Sequence, residues 1–395
     1  MANVDTDVAS GVLRIADTVT HTNSIRMGTG TTLDDANKHF NSISIGTDAS
    51  VGAPSSIALG SSTKTYTNDS IAIGTLSEAG GPAVNAALLG TKAIAIGYQT
   101  KALGTSNVAL GYGSVAENGH DSIAIGIKAK TSNIKSIAIG AYSEASGAQS
   151  TVISDNYGSA TGAVSTASGT RSQVYGAETN VSGDNSVSIG DKNTVASART
   201  YALGNNINAA ANTQDSLAFG TKAYVGSANT IAMGNTAQAK TMHSIAIGQN
   251  ASAGDNSANA EQKGVSAVAI GHGAQANYYD AIAIGARATV APAAGNTTAA
   301  DSIAIGVEAT ADNYKTTAIG TYARAKGRQS TVIANNVQGS NYSTASGTRA
   351  QVYGVQTTVS GNNSVAIGDT NTVASARTYA LGNNINVAAG ADDSL

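Results

Sequence analysis

The residues able to carry acid–base, nucleophilic or metal chemistry are few in this sequence, and they are dispersed. Its five histidines are His21, His39, His120, His243 and His272, with no His-x-His pair, no His-Glu-x-x-His and no matching carboxylate pair. A metal centre needs three or four converging ligands, which one chain does not offer unless symmetry brings copies of an axial histidine together. Cysteine is absent, so disulfide frameworks and thiolate zinc sites are excluded. No Gly-x-Ser-x-Gly elbow supports a Ser–His–Asp nucleophile, and no glycine-rich stretch opens a helix to cradle phosphate. Asp34-Asp35 and Asp392-Asp393 are too isolated for a calcium loop. We therefore expect no enzyme, no cofactor and no metal.

What remains is recognition chemistry. Arg171, Arg199, Arg349 and Arg377, with Tyr175, Tyr201, Tyr353 and Tyr379, offer forked donors and aromatic faces for an anionic or sugar ligand. The plainer reading is that the same arginines cap the coils or bridge chains of an oligomer. Asn259, Glu261, Lys263 and Asn296 are the other candidates, because they lie in insertions, and loops projecting from a scaffold carry recognition. Those insertions read equally as slack between repeats.

The elements that must hold these residues are set by a repeat. The tag Ser-Ile-Ala-Ile-Gly recurs, and its glycine or an equivalent falls at 23 landmarks from Gly28 to Gly382, with Ser154 and Ala334 as the two substitutes. Of the 22 intervals, 14 are fourteen residues long and the others are longer, never shorter. Added residues between units of fixed size are what a stacked solenoid tolerates. The residue before the landmark is hydrophobic in every unit; two before is mostly Ala, three before Ile or Val, and five before always polar. Large–small–large at period two is a strand signature, and nothing repeats at three to four as a helix would need. A second, weaker strand follows in each unit, as in Ile127-Lys-Ala-Lys130 and Tyr142-Ser-Glu-Ala145. The unit reads as two strands of about five residues and two tight turns, with the landmark glycine supplying positive φ. Parallel stacking of such units gives an all-β parallel β-roll solenoid with 14-residue coils.

The composition fits that roll. Across 395 residues there are 45 glycines, no tryptophan and only 12% charged residues, while hydrophobic residues reach 41%. A net charge of −3 gives no electrostatic footprint for nucleic acid or an acidic membrane surface, and no apolar run is long enough to span a bilayer. Side chains that alternate Ile and Ala on one strand cannot all point into one thin roll. One face must then be buried elsewhere, which predicts a homo-oligomer. The residues expected to pack the core or the subunit interface are Ile73, Ile96, Ile125, Ile139, Ile247, Ile284, Ile305 and Ile367. A longer repeat lies over the short one: 165–217 and 343–395 align without gaps, with 42 of 53 positions identical. Residues 1–22 precede the first coil and have no evident structure, so 23–395 form the roll.

The units Asp69-Ser-Ile-Ala-Ile-Gly74, Asp121-Ser-Ile-Ala-Ile-Gly126 and Asn185-Ser-Val-Ser-Ile-Gly190 resemble the head repeats of YadA-type trimeric autotransporter adhesins. Asn363-Ser-Val-Ala-Ile-Gly368 matches that family's repeat residue for residue, and the resemblance covers about 23–395. It implies a left-handed β-roll and a homotrimer, intertwined or side by side. It also implies a virulence-associated adhesin head, displayed on a Gram-negative cell and held to the outer membrane by a C-terminal anchor. Partners implied are host extracellular matrix of collagen type, host cell receptors or neighbouring bacteria, with no nucleic acid. The family's signal peptide, stalk and anchor are not visible in this sequence. Because Asp393-Ser-Leu395 matches Asp215-Ser-Leu217, where the first copy continues into a strand, we read the chain as a head fragment.

Other readings compete. A hexapeptide acyltransferase needs a period of six, a pectate-lyase-like enzyme needs coils of about 22 residues, and an ice-binding solenoid needs a regular Thr-x-Thr column. None of these matches; the adhesin head is the first reading, and a purely structural spacer rod is the alternative.

Overall fold

A computed structural model describes residues 5–6, 13–14, 24–33, 41–81, 92–156, 164–254, 265–291, 299–337 and 342–394. They fall into two compact units, 1–198 and 199–395, and both are built in the same way. Each coil contributes a three-residue strand just before the landmark and a shorter strand after it, such as Ile123–Ile125 and Lys130–Thr131. Successive coils pair in parallel and in register. In the first unit Val108↔Ile123, Ala109↔Ala124 and Leu110↔Ile125 form one sheet, and Val115↔Lys130 belongs to the other. In the second unit Ile231↔Ile245 and Gln238↔Ser252 repeat the pattern. Most second strands have two residues, not the expected five, and they begin later than the sequence indicated. Residues 127–128 are turn, and the strand starts at Lys130.

The lost strand length goes into turns. Besides the landmark glycine, each regular coil turns at two residues with left-handed backbone, five before the landmark and two after it. Around Gly126 (φ 131°) these are Asp121 (φ 58°) and Lys128 (φ 52°), and the next is Lys135 (φ 53°). The interval is seven, so the coil consists of two half-coils. Left-handed backbone is costly for non-glycine residues, and short polar side chains tolerate it best. That accounts for the invariably polar column five before the landmark. Interstrand bonding supports these turns: the backbone N–H groups of Asp121, Gly126 and Lys128 donate to Thr105, Leu110 and Tyr112 of the coil before, at 2.8–2.9 Å. A Cβ at Gly126 would sit 2.6 Å from the carbonyl oxygen of Gly140, so stacked glycines leave no room for a side chain. Ser154 and Ala334 replace glycine only where an irregular coil follows.

The interior is made of the small residues. Ser122, Ala124, Ala129 and Thr131 are fully buried, whereas Ile123 and Ile125 point outward and are half-buried. The largest fully buried side chains are valines and Ile207. A coil with only two short strands encloses a cross-section that Ala, Ser, Thr and Val fill. The serine column four before the landmark is an internal hydrogen-bond ladder. Ser56 Oγ donates to Thr67 O at 2.9 Å, and the Ser70 N–H donates to Ser56 Oγ at 3.2 Å. Threonines three after the landmark act similarly, Thr63 and Thr100 donating to the carbonyls of Gly74 and Gly111 at 2.7 Å. Within 1–22, Asp5–Thr6 pairs antiparallel with Leu13–Arg14, which pairs antiparallel with Ile25–Met27 of the first coil. These strands lie along the first coil's edge, where a solenoid needs a cap.

Candidate binding surfaces

Inward-pointing Ala, Ser, Thr and Val leave three kinds of outer surface, one for each remaining column. The first is the outer face of the sheet before the landmark, where large apolar residues stand in two columns. In the first unit these run through Ile71/Ile73, Ile94/Ile96, Val108/Leu110, Ile123/Ile125 and Ile137/Ile139, held in register by parallel pairing. In the second unit they run from Leu217/Phe219 to Ile303/Ile305 through six successive coils. Ile96, Ile189, Phe219 and Ile367 are 38–50% exposed. Of the eight isoleucines expected in a core or interface, all lie on this outer face and none in the roll's interior, which is filled by the alanine between them.

The second surface is the outer face of the other sheet, which is polar. Here Lys130 reaches Glu117 at 3.6 Å and Glu144 at 3.7 Å, and Lys101 reaches Glu78 at 3.8 Å. In the second unit this face holds an open polar recess of about 330 Å³, lined by residues that include Gln238, Asn250, Ser252, Gln275 and Asn277. Ser252 Oγ and Asn277 Oδ1 are buried there without a hydrogen-bond partner.

The third surface is the row of turns, and it holds the four arginines singled out from the sequence. Each is engaged within its own chain by a neighbouring coil. Arg171 Nε donates to Asn185 Oδ1 at 2.6 Å, and Arg349 donates to Gln329 and Asn363 at 3.2 and 3.0 Å. Arg199 grips Asp215 at 2.6 and 2.8 Å, and Arg377 grips Asp393 at 2.5 and 3.0 Å. Hydrogen bonds from those arginines, with their charge, hold both carboxyls below the usual range. The tyrosines are elsewhere: Tyr175, Tyr201, Tyr353 and Tyr379 stand in the strands Gln173–Tyr175, Tyr201–Leu203, Gln351–Tyr353 and Tyr379–Leu381. Tyr175 and Tyr353 each donate to the glutamine two residues earlier, at 3.3 and 3.2 Å. Tyr175 and Tyr353 thus end the strands that follow Arg171 and Arg349, whereas Tyr201 and Tyr379 begin theirs two residues after Arg199 and Arg377, and among the described residues no contact joins an arginine of the four to one of these rings. Asn259, Glu261, Lys263 and Asn296 lie outside the described residues, as do His21 and His39. His120 contacts Asp121 at 2.7 Å, and among the described residues no group of three metal-ligating side chains occurs.

Sequence reasoning missed a cluster in the second unit. Arg324 lies over the ring of Tyr342 with its guanidinium carbon 3.4 Å from the centroid, and Tyr322 tilts against Tyr342 at 5.7 Å. Lys315 and Arg328 both approach the ring of Tyr314, at 5.1 and 5.2 Å. The available signal was the spacing Arg324, Lys326, Arg328 just upstream of the second copy, where the coil before the first copy has Glu144, Ser146 and Ala148.

A family model described as the YadA head domain repeat, in two copies, matches residues 40–63, 52–77, 89–117, 118–143, 132–153, 227–251, 263–288, 298–323, 345–371 and 360–384. These matches cover more than half of the chain. The chain belongs to the YadA head family. YadA heads are surface-displayed parts of autotransporter adhesins, so an adhesin-type role at the cell surface follows from membership. No curated protein matches the chain. The matches begin after residue 39 and bypass 154–226, which contains the first irregular coil.

Proposed function

We propose that this YadA head assembles as a homotrimer on the outer membrane of a Gram-negative bacterium and attaches it to host matrix, host cells or other bacteria, without catalysis. The observation that carries the assembly is the outward Ile/Val/Leu ladder. Apolar patches on monomers rarely exceed about 300–600 Å², and a stripe two side chains wide over five or six coils needs a cover. Copies of the same sheet supply one with matching repeat, each coil meeting its equivalent. Three chains about one axis then leave the polar sheet and the turns facing outward, where ligands reach them. Repetition supplies the binding strength: weak sites on successive coils and three chains multiply effective concentration without new contacts.

Collagen-type matrix is the first ligand to test, on the Asn363–Gly368 repeat and its variants. In this reading the head captures immobilised collagen at micromolar concentration, with fibronectin, laminin and mucin as the comparison surfaces. No capture of collagen at that concentration would remove the collagen version, and no capture on any of the four would remove the matrix-adhesin version.

A further inference from the structure

The two copies continue upstream of 165 and 343, where 133–153 matches 313–333 coil for coil, and in that extension of the first and second modules they differ in charge on one face. Over 313–368 the chain has five cations (Lys315, Arg324, Lys326, Arg328 and Arg349) and no carboxylate. The corresponding stretch of the first module, 133–190, has two cations and four carboxylates. Where the first module has Glu144, Ser146 and Ala148, the second has Arg324, Lys326 and Arg328. The pairing around them has changed as well. Glu144 is opposite Lys130, which neutralises it, whereas Arg324 is opposite Thr310 in the same register. The second copy therefore carries a predominantly positive face, with Asp312 beside Lys326 and Arg324, on a protein whose net charge is −3.

That face is built to present its charges. Arg324 and Lys326 are two residues apart along an extended segment and so project on the same side, about 7 Å apart. Arg324 is held flat on Tyr342, which fixes its guanidinium plane, while Lys326 and Arg328 are exposed. Tyr314 lies beneath Arg328 and Lys315. Asp312 is half-buried and interacts with the charges of Lys326 and Arg324, while Lys326 and Arg328 stay exposed. A fixed forked donor on the strand, with exposed cations along the segment and turn after it and aromatic faces beside them, suits a polymer of sugar rings bearing repeated anionic groups. Duplex DNA is a poorer match, since tight non-specific binding uses about six to ten phosphate contacts and this face offers four cations. An acidic protein partner would need an interface of about 1,200 Å² or more, and nothing here extends the patch that far.

We propose that this face of the second module, centred on Arg324, Lys326 and Arg328 beside Tyr314 and Tyr342, binds a sulfated polysaccharide. The site lies on the polar sheet and its turn, within one chain, so it stands whether or not the head trimerises and whether or not collagen is a ligand. The test is retention of the full chain on immobilised dextran sulfate, with neutral dextran and duplex DNA as parallel surfaces. Expected is retention on dextran sulfate alone, released by about 1 M NaCl, where the screening length falls to about 3 Å. Installing the first module's residues, R324E/K326S/R328A, should weaken retention by at least about tenfold. The far-ultraviolet circular dichroism of that variant should match the wild type's, although losing the Arg324–Tyr342 stacking and the charges beside Asp312 lowers its melting temperature. The reciprocal set I134Y/E144R/S146K/A148R in the first module should strengthen retention, and it carries the test if the first variant misfolds. Unchanged retention in the folded first variant, no gain in the reciprocal one, equal retention on neutral dextran, or stronger retention on DNA would each overturn the proposal.

Discussion

At the scale of single residues, the surprise is which member of Ile-Ala-Ile lies inside. The alternation is plain in the sequence, but period two alone leaves both faces apolar and does not choose between them. Volume makes the choice: Ala124 is stacked between Ala109 and Ala138 with no exposure, and Ile125 is outside. Neighbouring positions should therefore fail in opposite ways. Ala124→Leu should destabilise the roll by about 1–3 kcal/mol, as overpacking does, read as a lower melting temperature. Ile125→Asp should leave far-ultraviolet circular dichroism intact and abolish association, because its carboxylate is solvated in one chain and would be buried unpaired in an assembly. If both variants lost the fold equally, the assignment of inside and outside would be wrong. Asp312 gives a pH-dependent check. Burial raises its carboxyl pKa, opposed by the nearby Lys326 and Arg324 charges. The folded chain then binds this proton more tightly than the unfolded chain, so the contribution to stability falls as pH rises from the ordinary value of 3.8 through the raised one. Asp312→Asn should melt higher than wild type at pH 7 and lose that advantage at pH 3; a lower melting point at pH 7 would contradict this.

At the scale of the coil, the strand before each landmark, the glycine turn and the fourteen-residue period were all legible, because each repeats in fixed register. The second strand was placed too early, since residues such as Lys128 and Arg287 look strand-compatible yet adopt left-handed backbone at φ 52° and 55°. Side-chain type does not reveal a turn whose backbone is bonded by the previous coil. All four arginines stand in the polar column five before a landmark, but their partners were not legible: Arg199 with Asp215 and Arg377 with Asp393 join residues sixteen apart, not fourteen. Insertions do not disturb register. Although Gly248 and Gly271 are 23 residues apart, Ile245–Ile247 pairs with Val268–Ile270, and Ser252–Ala253 with Gln275–Ala276, as in any regular coil. Deleting 255–263 restores a fourteen-residue interval. It should alter stability by about 0.6 kcal/mol or less, given the slow dependence of closure entropy on loop length. Retained capture of matrix by this variant would mark the insertion as slack; lost capture with unchanged melting would mark it as a recognition loop.

At the scale of the whole molecule, composition, repeat and burial meet in one requirement. A core of Ala, Ser and Val is what a two-strand coil can hold, and the isoleucines displaced from it form a continuous apolar ladder on the outside of each unit. The excess of apolar positions over interior space was legible; the number of chains in the proposed assembly was not, because one chain's period carries no information about symmetry. The most direct test of the account is the solution mass of the purified head by light scattering, measured beside Ile125→Asp. A homotrimer closed over the ladder gives three times 39.0 kDa for the wild type, and the variant gives 39.0 kDa. A wild-type mass of 39.0 kDa at micromolar concentration would contradict it, since the ladder would then stand in water uncovered.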